Sequence, residues 1–189
     1  MHIDLLRHGE PQGGEKYRGH GVDDPLSEKG WQQMWRAVED AGPWCQIVHS
    51  PLLRCREFAL ALAARDGLPT QEDARWREVG FGTWEGRTRE ALERDNPGVV
   101  ARFTHDPIRC RPAGAETLDD FCGRVGAAWD ELTAQPAGNI LLVVHAGVIR
   151  AVLARVLAIP HENLYRLHIG NAARIRIHFK DGRPPQVAL

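Results

Sequence analysis

The sequence has no excess of charge of either sign: 24 Lys and Arg stand against 25 Asp and Glu, for a net charge of -1. A molecule that gathers polyanions by its overall field is therefore excluded, and an anion can be held only in a local basic pocket. Neither nucleic acid nor an anionic membrane is expected as a partner. Long apolar runs are also missing. The run Ile140 to Val144 has the length of a strand and falls far short of a membrane span. Met1 to Leu6 is too short for the apolar part of a signal peptide, and Arg7 interrupts it. A cytoplasmic location is the expectation. The four cysteines, Cys45, Cys55, Cys110 and Cys122, form no C-x-x-C pair and have no His at zinc-finger spacing. They read as reduced, mostly buried thiols, with no metal or redox role. There is no internal repeat and no low-complexity tract.

What remains is the balance of a soluble globular protein, 43% hydrophobic and 26% charged. Its 189 residues suit a single domain over 1–189, with a loose tail from about residue 182, where Pro184-Pro185 stands. Four segments read as strands: Ile3–Leu6, Gln46–His49, Ile140–His145 and Ala173–Phe179. The run Ile140–Val144 is apolar throughout, as in a parallel strand covered on both faces. Ala173–Phe179 alternates and reads as an edge or half-exposed strand. Helical spacing links Trp31, Met34, Trp35 and Val38, then Leu118 through Leu132, then Val148 through Leu157. Ser50-Pro51 reads as the start of a further helix, with Ser50 as its cap. The stretch from about Leu68 to Gly114 is less regular and is expected to cover the carboxyl edge of the sheet. Strands alternating with helices predict an α/β fold around a mostly parallel sheet.

In such folds ligands bind beyond the carboxyl ends of the strands. The first strand ends in Arg7-His8-Gly9, the second leads to Arg54 in the first turn of a helix, and a third ends in His145-Ala146-Gly147. Two Arg and two His can thus converge at one end of the sheet. Arg holds phosphate by paired hydrogen bonds, and His acts as acid, base or nucleophile near neutral pH.

These residues sit in a longer series. Leu6-Arg7-His8-Gly9-Glu10, Asp24 through Gly30, Ser50-Pro51-Leu52-Leu53-Arg54, Glu78 through Gly86, Gly114-Ala115-Glu116-Thr117 and Val144 through Arg150 follow one another in order. In this series the chain resembles the histidine phosphatase superfamily, also called phosphoglycerate mutase-like, over most of its length. The resemblance implies a three-layer sandwich with a mostly parallel central sheet between helices. It implies His8 as nucleophile, Arg7, Arg54 and His145 as ligands of the phosphoryl oxygens together with Ala146, and Glu78 as the acid that protonates the leaving oxygen. Glu10, Glu85 and Glu116 are rival carboxylates. The neutral ring of His8 is expected to donate from its other nitrogen to a backbone carbonyl of the Gly9 loop. The scheme uses no metal and no cofactor, and its partner is a small-molecule phosphomonoester.

Gln12, Tyr17, Arg18, His20 and Trp84 are candidate substrate contacts. The loop Glu10–Glu15 has no Asn where many relatives carry one, so Gln12 or glycine amides are candidates for that place. Cys55-Arg56-Glu57 follows Arg54 where relatives often have Thr-Ala, a change expected to affect helix packing. The segment Phe81 to Gly86 resembles the alpha-ribazole phosphatase branch, whose substrate is a nucleoside-like 5′-phosphate. The alternatives are a broad-specificity phosphatase, a phosphoglycerate mutase, or an inert member that binds a phosphorylated ligand. The residues do not specify the oligomeric state.

Overall fold

A computed structural model describes residues 1–134 and 138–188. In chain order the elements are β1 (His2–Arg7), α1 (Glu28–Val38), β2 (Gln46–His49), α2 (Leu53–Asp66), β3 (Thr70–Glu72), α3 (Arg89–Asp95), α4 (Val99–His105), α5 (Leu118–Ala134), β4 (Ile140–Val144), α6 (Ala146–Leu157), β5 (Arg174–His178) and β6 (Gln186–Ala188). The sheet order is β3-β2-β4-β1-β5-β6. The first four are mutually parallel, and β5 and β6 run antiparallel. The expected mostly parallel α/β architecture is the one observed.

The all-apolar β4 sits at the centre for a physical reason. Its alternate side chains serve opposite faces. Ile140, Leu142 and Val144 join Phe121, Val125 and Trp129 of α5 and Ile149, Val152 and Leu153 of α6 in one core. Leu141 and Val143 join Met34 and Val38 of α1 and Phe58 and Leu62 of α2 in the other. Helices therefore cover both faces, which makes three layers. β5 has the half-exposed pattern its alternation predicts, but it is not at the edge, because β6 pairs with it.

Four expectations need correction. The tail is not loose throughout: Gln186–Ala188 pairs with Arg176–His178. The helix expected at Ser50-Pro51 begins at Leu53, and Leu52 occupies the cap position. The Ser50 hydroxyl accepts the Leu52 N–H at 3.3 Å and lies 2.7 Å from His145 Nε2, so it joins β2 to β4. Only Cys55 among the cysteines is buried; Cys110 and Cys122 are half-buried and Cys45 is exposed. The irregular stretch holds two short helices, α3, which buries Leu92, and α4, which buries Val100 and Phe103.

One buried charge anchors the antiparallel side. Asp4 of β1 is fully buried. Trp44 Nε1 donates to it at 2.8 Å, Arg176 donates from Nε and Nη2 at 2.7 and 2.9 Å, and Arg174 from Nη1 at 3.4 Å. Burial alone would raise its pKa; the bonds from Arg176 and Trp44 outweigh that and hold the carboxyl below its usual range. A lowered carboxylate pKa adds stability above the unfolded value, and that stability is lost as pH falls through the folded value. Replacing Asp4 with Ala strands these donors, and we expect the unfolding free energy at pH 7 to drop by about 2–4 kcal/mol. Urea denaturation followed by circular dichroism measures it; a change below about 0.5 kcal/mol would mean that pairing only offsets desolvation.

Candidate functional site

The site is set by the register of two parallel strands. Arg7 of β1 pairs with Val144 of β4, and the His8 N–H donates to the Val144 carbonyl at 2.9 Å. His8 and His145 therefore leave the sheet side by side, with ring centroids 5.2 Å apart in an edge-on arrangement. The Ser50 N–H donates to the Val143 carbonyl, so the turn into α2 starts beside them and delivers Arg54.

The His8 ring is oriented from its own loop. Nδ1 lies 2.7 Å from the Gly9 carbonyl. A carbonyl only accepts, so Nδ1 carries the proton and the neutral ring keeps its lone pair on Nε2. The loop itself is fastened to the start of α1. Ser27 caps α1 through the Gly30 N–H, its own N–H donates to the Glu10 carbonyl, and Gln33 Oε1 accepts the Glu10 N–H at 2.8 Å. A Cβ on Gly9 would collide with the Gly30 backbone, so only glycine permits this approach. That contact accounts for the glycine that ends the segment Asp24 to Gly30.

Arg54 is almost fully buried; it donates to the Val22 carbonyl at 3.1 Å and the Gly19 carbonyl at 2.8 Å. Arg7 donates to the Ile169 carbonyl at 2.7 Å. The Nε–H of each is buried without a protein partner. Glu78 reaches the N-terminus of α6: its carboxylate accepts from Val79 N at 2.9 Å and Gly147 N at 3.2 Å. A Cβ at Gly147 would overlap this carboxylate.

A second layer of charge holds the segment that carries Glu78. Arg124 of α5 donates to the carbonyls of Arg75, Arg77 and Glu78 at 2.7, 2.8 and 3.0 Å. It also makes a two-pronged ion pair with Glu116, whose other contact is the Gly80 N–H at 3.1 Å. Glu116 is thus a structural partner of Arg124. Glu85 likewise accepts the Phe81 N–H, and Glu10 pairs with Lys29.

A cavity of about 260 Å³ opens here, lined by Arg7, His8, Arg54, Glu78, Ala146 and Gly147 at its base, and by Tyr17, Arg18, Phe81, Arg150, Tyr165 and His168 higher up. The expected Arg7, His8, Arg54, Glu78, Ala146, Tyr17 and Arg18 come together. Four expected residues do not line it. His145 lies behind His8, with Nε2 against Ser50 Oγ and Cys55 Sγ at 3.6 Å. Cys55 therefore supports His145, and its effect is not confined to helix packing. Trp84 is a core residue stacked edge-on behind Tyr17. His20 bonds the Glu78 carbonyl through Nδ1 at 3.2 Å. Gln12 bonds the Leu26 carbonyl and takes no part in the cavity wall. Arg150, Tyr165 and His168 were missed. Arg150 had one signal, its place one helical turn after Ala146; the other two lie on or just past a short 3-10 turn with no periodicity. Among the described residues, no group of three or more His, Cys, Asp or Glu is placed to hold a metal ion.

Both imidazoles are held well below the usual histidine range, first by burial and then by the positive charge of Arg54. Both rings are neutral in the fold. Below pH 6.5, the ordinary value, the unfolded chain binds protons that the folded chain excludes. Stability then falls with falling pH, by up to about 1.4 kcal/mol per pH unit for each ring, and the slope fades within about one unit above that pH. We expect urea midpoints to drop between pH 6.5 and 5.5, less steeply in His8→Asn than in the parent. Parallel profiles would show that His8 takes up its proton in the folded state.

The chain matches the sequence profile of the histidine phosphatase superfamily (branch 1) over residues 3–189. It is 35% identical over 175 residues to a bifunctional protein of Mycobacterium tuberculosis, covering 89% of this chain but 48% of that protein, so it spans about half the length of this relative. Its fold is similar to a mycobacterial glucosyl-3-phosphoglycerate phosphatase in complex with VO3, at a TM-score of 0.88 and 30% identity, covering 100% of this chain and 97% of that one. It is also similar to the alpha-ribazole phosphatase of Shigella flexneri, at a TM-score of 0.82 and 26% identity, covering 96% and 92%. The chain belongs to the histidine phosphatase superfamily, branch 1.

Proposed function

We propose that this chain hydrolyses a phosphomonoester through a phosphohistidine on His8 Nε2. The observation that carries the reading is the pairing of a neutral, Gly9-oriented His8 with two buried arginines, each keeping an unpartnered Nε–H beside it. Such donors call for an anion, and the ring they flank has a lone pair to give. In the first step Nε2 bonds to phosphorus and the ester oxygen leaves, taking the proton of Glu78. In the second, water attacks phosphorus, Glu78 takes the proton of that water, and the P–N bond breaks to return neutral His8 and inorganic phosphate. Arg7 and Arg54 stabilise the charge on the equatorial oxygens. His145 acts from behind, as the ring against which His8 is held.

For the substrate, the fold neighbour with the higher identity supports a phosphoglycerate-type ester. An alpha-ribazole 5′-phosphate is the second reading, favoured by Tyr17 on the cavity wall, where an aromatic base can stack. Two outcomes follow. His8→Ala abolishes phosphate release from a panel of phosphomonoesters and removes the acid-labile label left by a radioactive substrate; surviving turnover, or isomerisation of 3-phosphoglycerate without phosphate release, would overturn the proposal. Arg124→Met, which frees the segment carrying Glu78, lowers kcat about tenfold to a hundredfold with little change in KM. Steady-state kinetics checks this, and a purely structural role would show as lost folded protein with kcat per folded molecule intact.

A further inference from the structure

We infer that Arg150 forms a second anion subsite, which takes a carboxylate carried by the alcohol part of the substrate. The inference rests on the phosphatase reading and adds to it the class of leaving group. Arg150 stands one turn into α6 from Ala146 and lines the same cavity as His8. Its guanidinium is fixed in two ways: Nε donates to the Leu167 carbonyl at 2.8 Å, and the group lies over the Tyr165 ring at 5.4 Å. With Nε engaged, the two Nη groups remain, spaced as a fork that matches a carboxylate.

The charges of the cavity lead to the same place. Lys16 and Arg18 both pair with Asp24 at 2.8 Å, and Arg54 has Asp23 at 3.9 Å. Among the described residues, Arg7 and Arg150 are the lining guanidiniums with no carboxylate within 4.0 Å. Arg7 adjoins His8 and is taken by the phosphoryl group. Arg150 then faces the part of the substrate beyond the ester oxygen, with Arg7 and Arg150 repelling one another until a second anion enters. There is room for it in the cavity of about 260 Å³ that Arg7 and Arg150 both line.

The test compares kcat/KM for 3-phosphoglycerate and glycerol 3-phosphate, which differ in the carboxylate. The parent enzyme should prefer 3-phosphoglycerate by about tenfold or more, the worth of a charge-assisted bond. Arg150→Gln should bring the ratio near one, mainly through KM, and Arg150→Lys should restore part of it. Circular dichroism shows that each variant is folded. An equal loss for both esters would place Arg150 on the phosphoryl group and overturn the subsite, as would a parent ratio near one. Parent enzyme that cleaves neither ester nor p-nitrophenyl phosphate would overturn the phosphatase reading, and the subsite with it.

Discussion

The site depends on the parallel pairing of β1 with β4. Their register places Arg7 opposite Val144, and the next residue on each strand is a histidine. A slip of one residue would turn every side chain of β4 to the opposite face and separate the two rings. The register is secured by burial on both faces, since the five apolar residues of β4 divide between two cores. The same packing that stabilises the sheet thus sets the spacing of His8 and His145.

Around this pair the protein uses backbone carbonyls more than acids. Arg54 is held by Val22 and Gly19, Arg7 by Ile169, His8 by Gly9 and Arg150 by Leu167. A carbonyl orients a guanidinium or imidazole without cancelling its charge. The cavity therefore keeps a positive field for an anion, and burial with that field keeps both histidines neutral. Away from the cavity wall a carboxylate serves geometry, as in the Glu116–Arg124 pair beneath the Glu78 segment.

The legible parts of the chain were those with strong local patterns. The apolar run of β4, the alternation of β5 and the spacing of α1, α5 and α6 each name an element. The thin signals failed. β3 is three exposed residues, Thr70 to Glu72, and exists because β2 offers it an open edge. β6 forms in the same way on β5, in a stretch rich in proline. At Ser50 the local cap signal was overruled, because its hydroxyl has a tertiary partner in His145.

By itself the sequence determined the α/β class, the parallel centre of the sheet and most of the residues at the base of the cavity. Composition, periodicity and the order of the motifs are properties of the chain, and need no partner to be read. Only the tertiary structure decided which of those residues share a cavity. It moved His145 behind His8 and Trp84 into the core, turned Gln12 and His20 to backbone carbonyls, and brought Arg150, Tyr165 and His168 to the wall. The reason is that a side chain's surroundings are set by segments far away in sequence, and strand register and helix packing bring those together only in the fold.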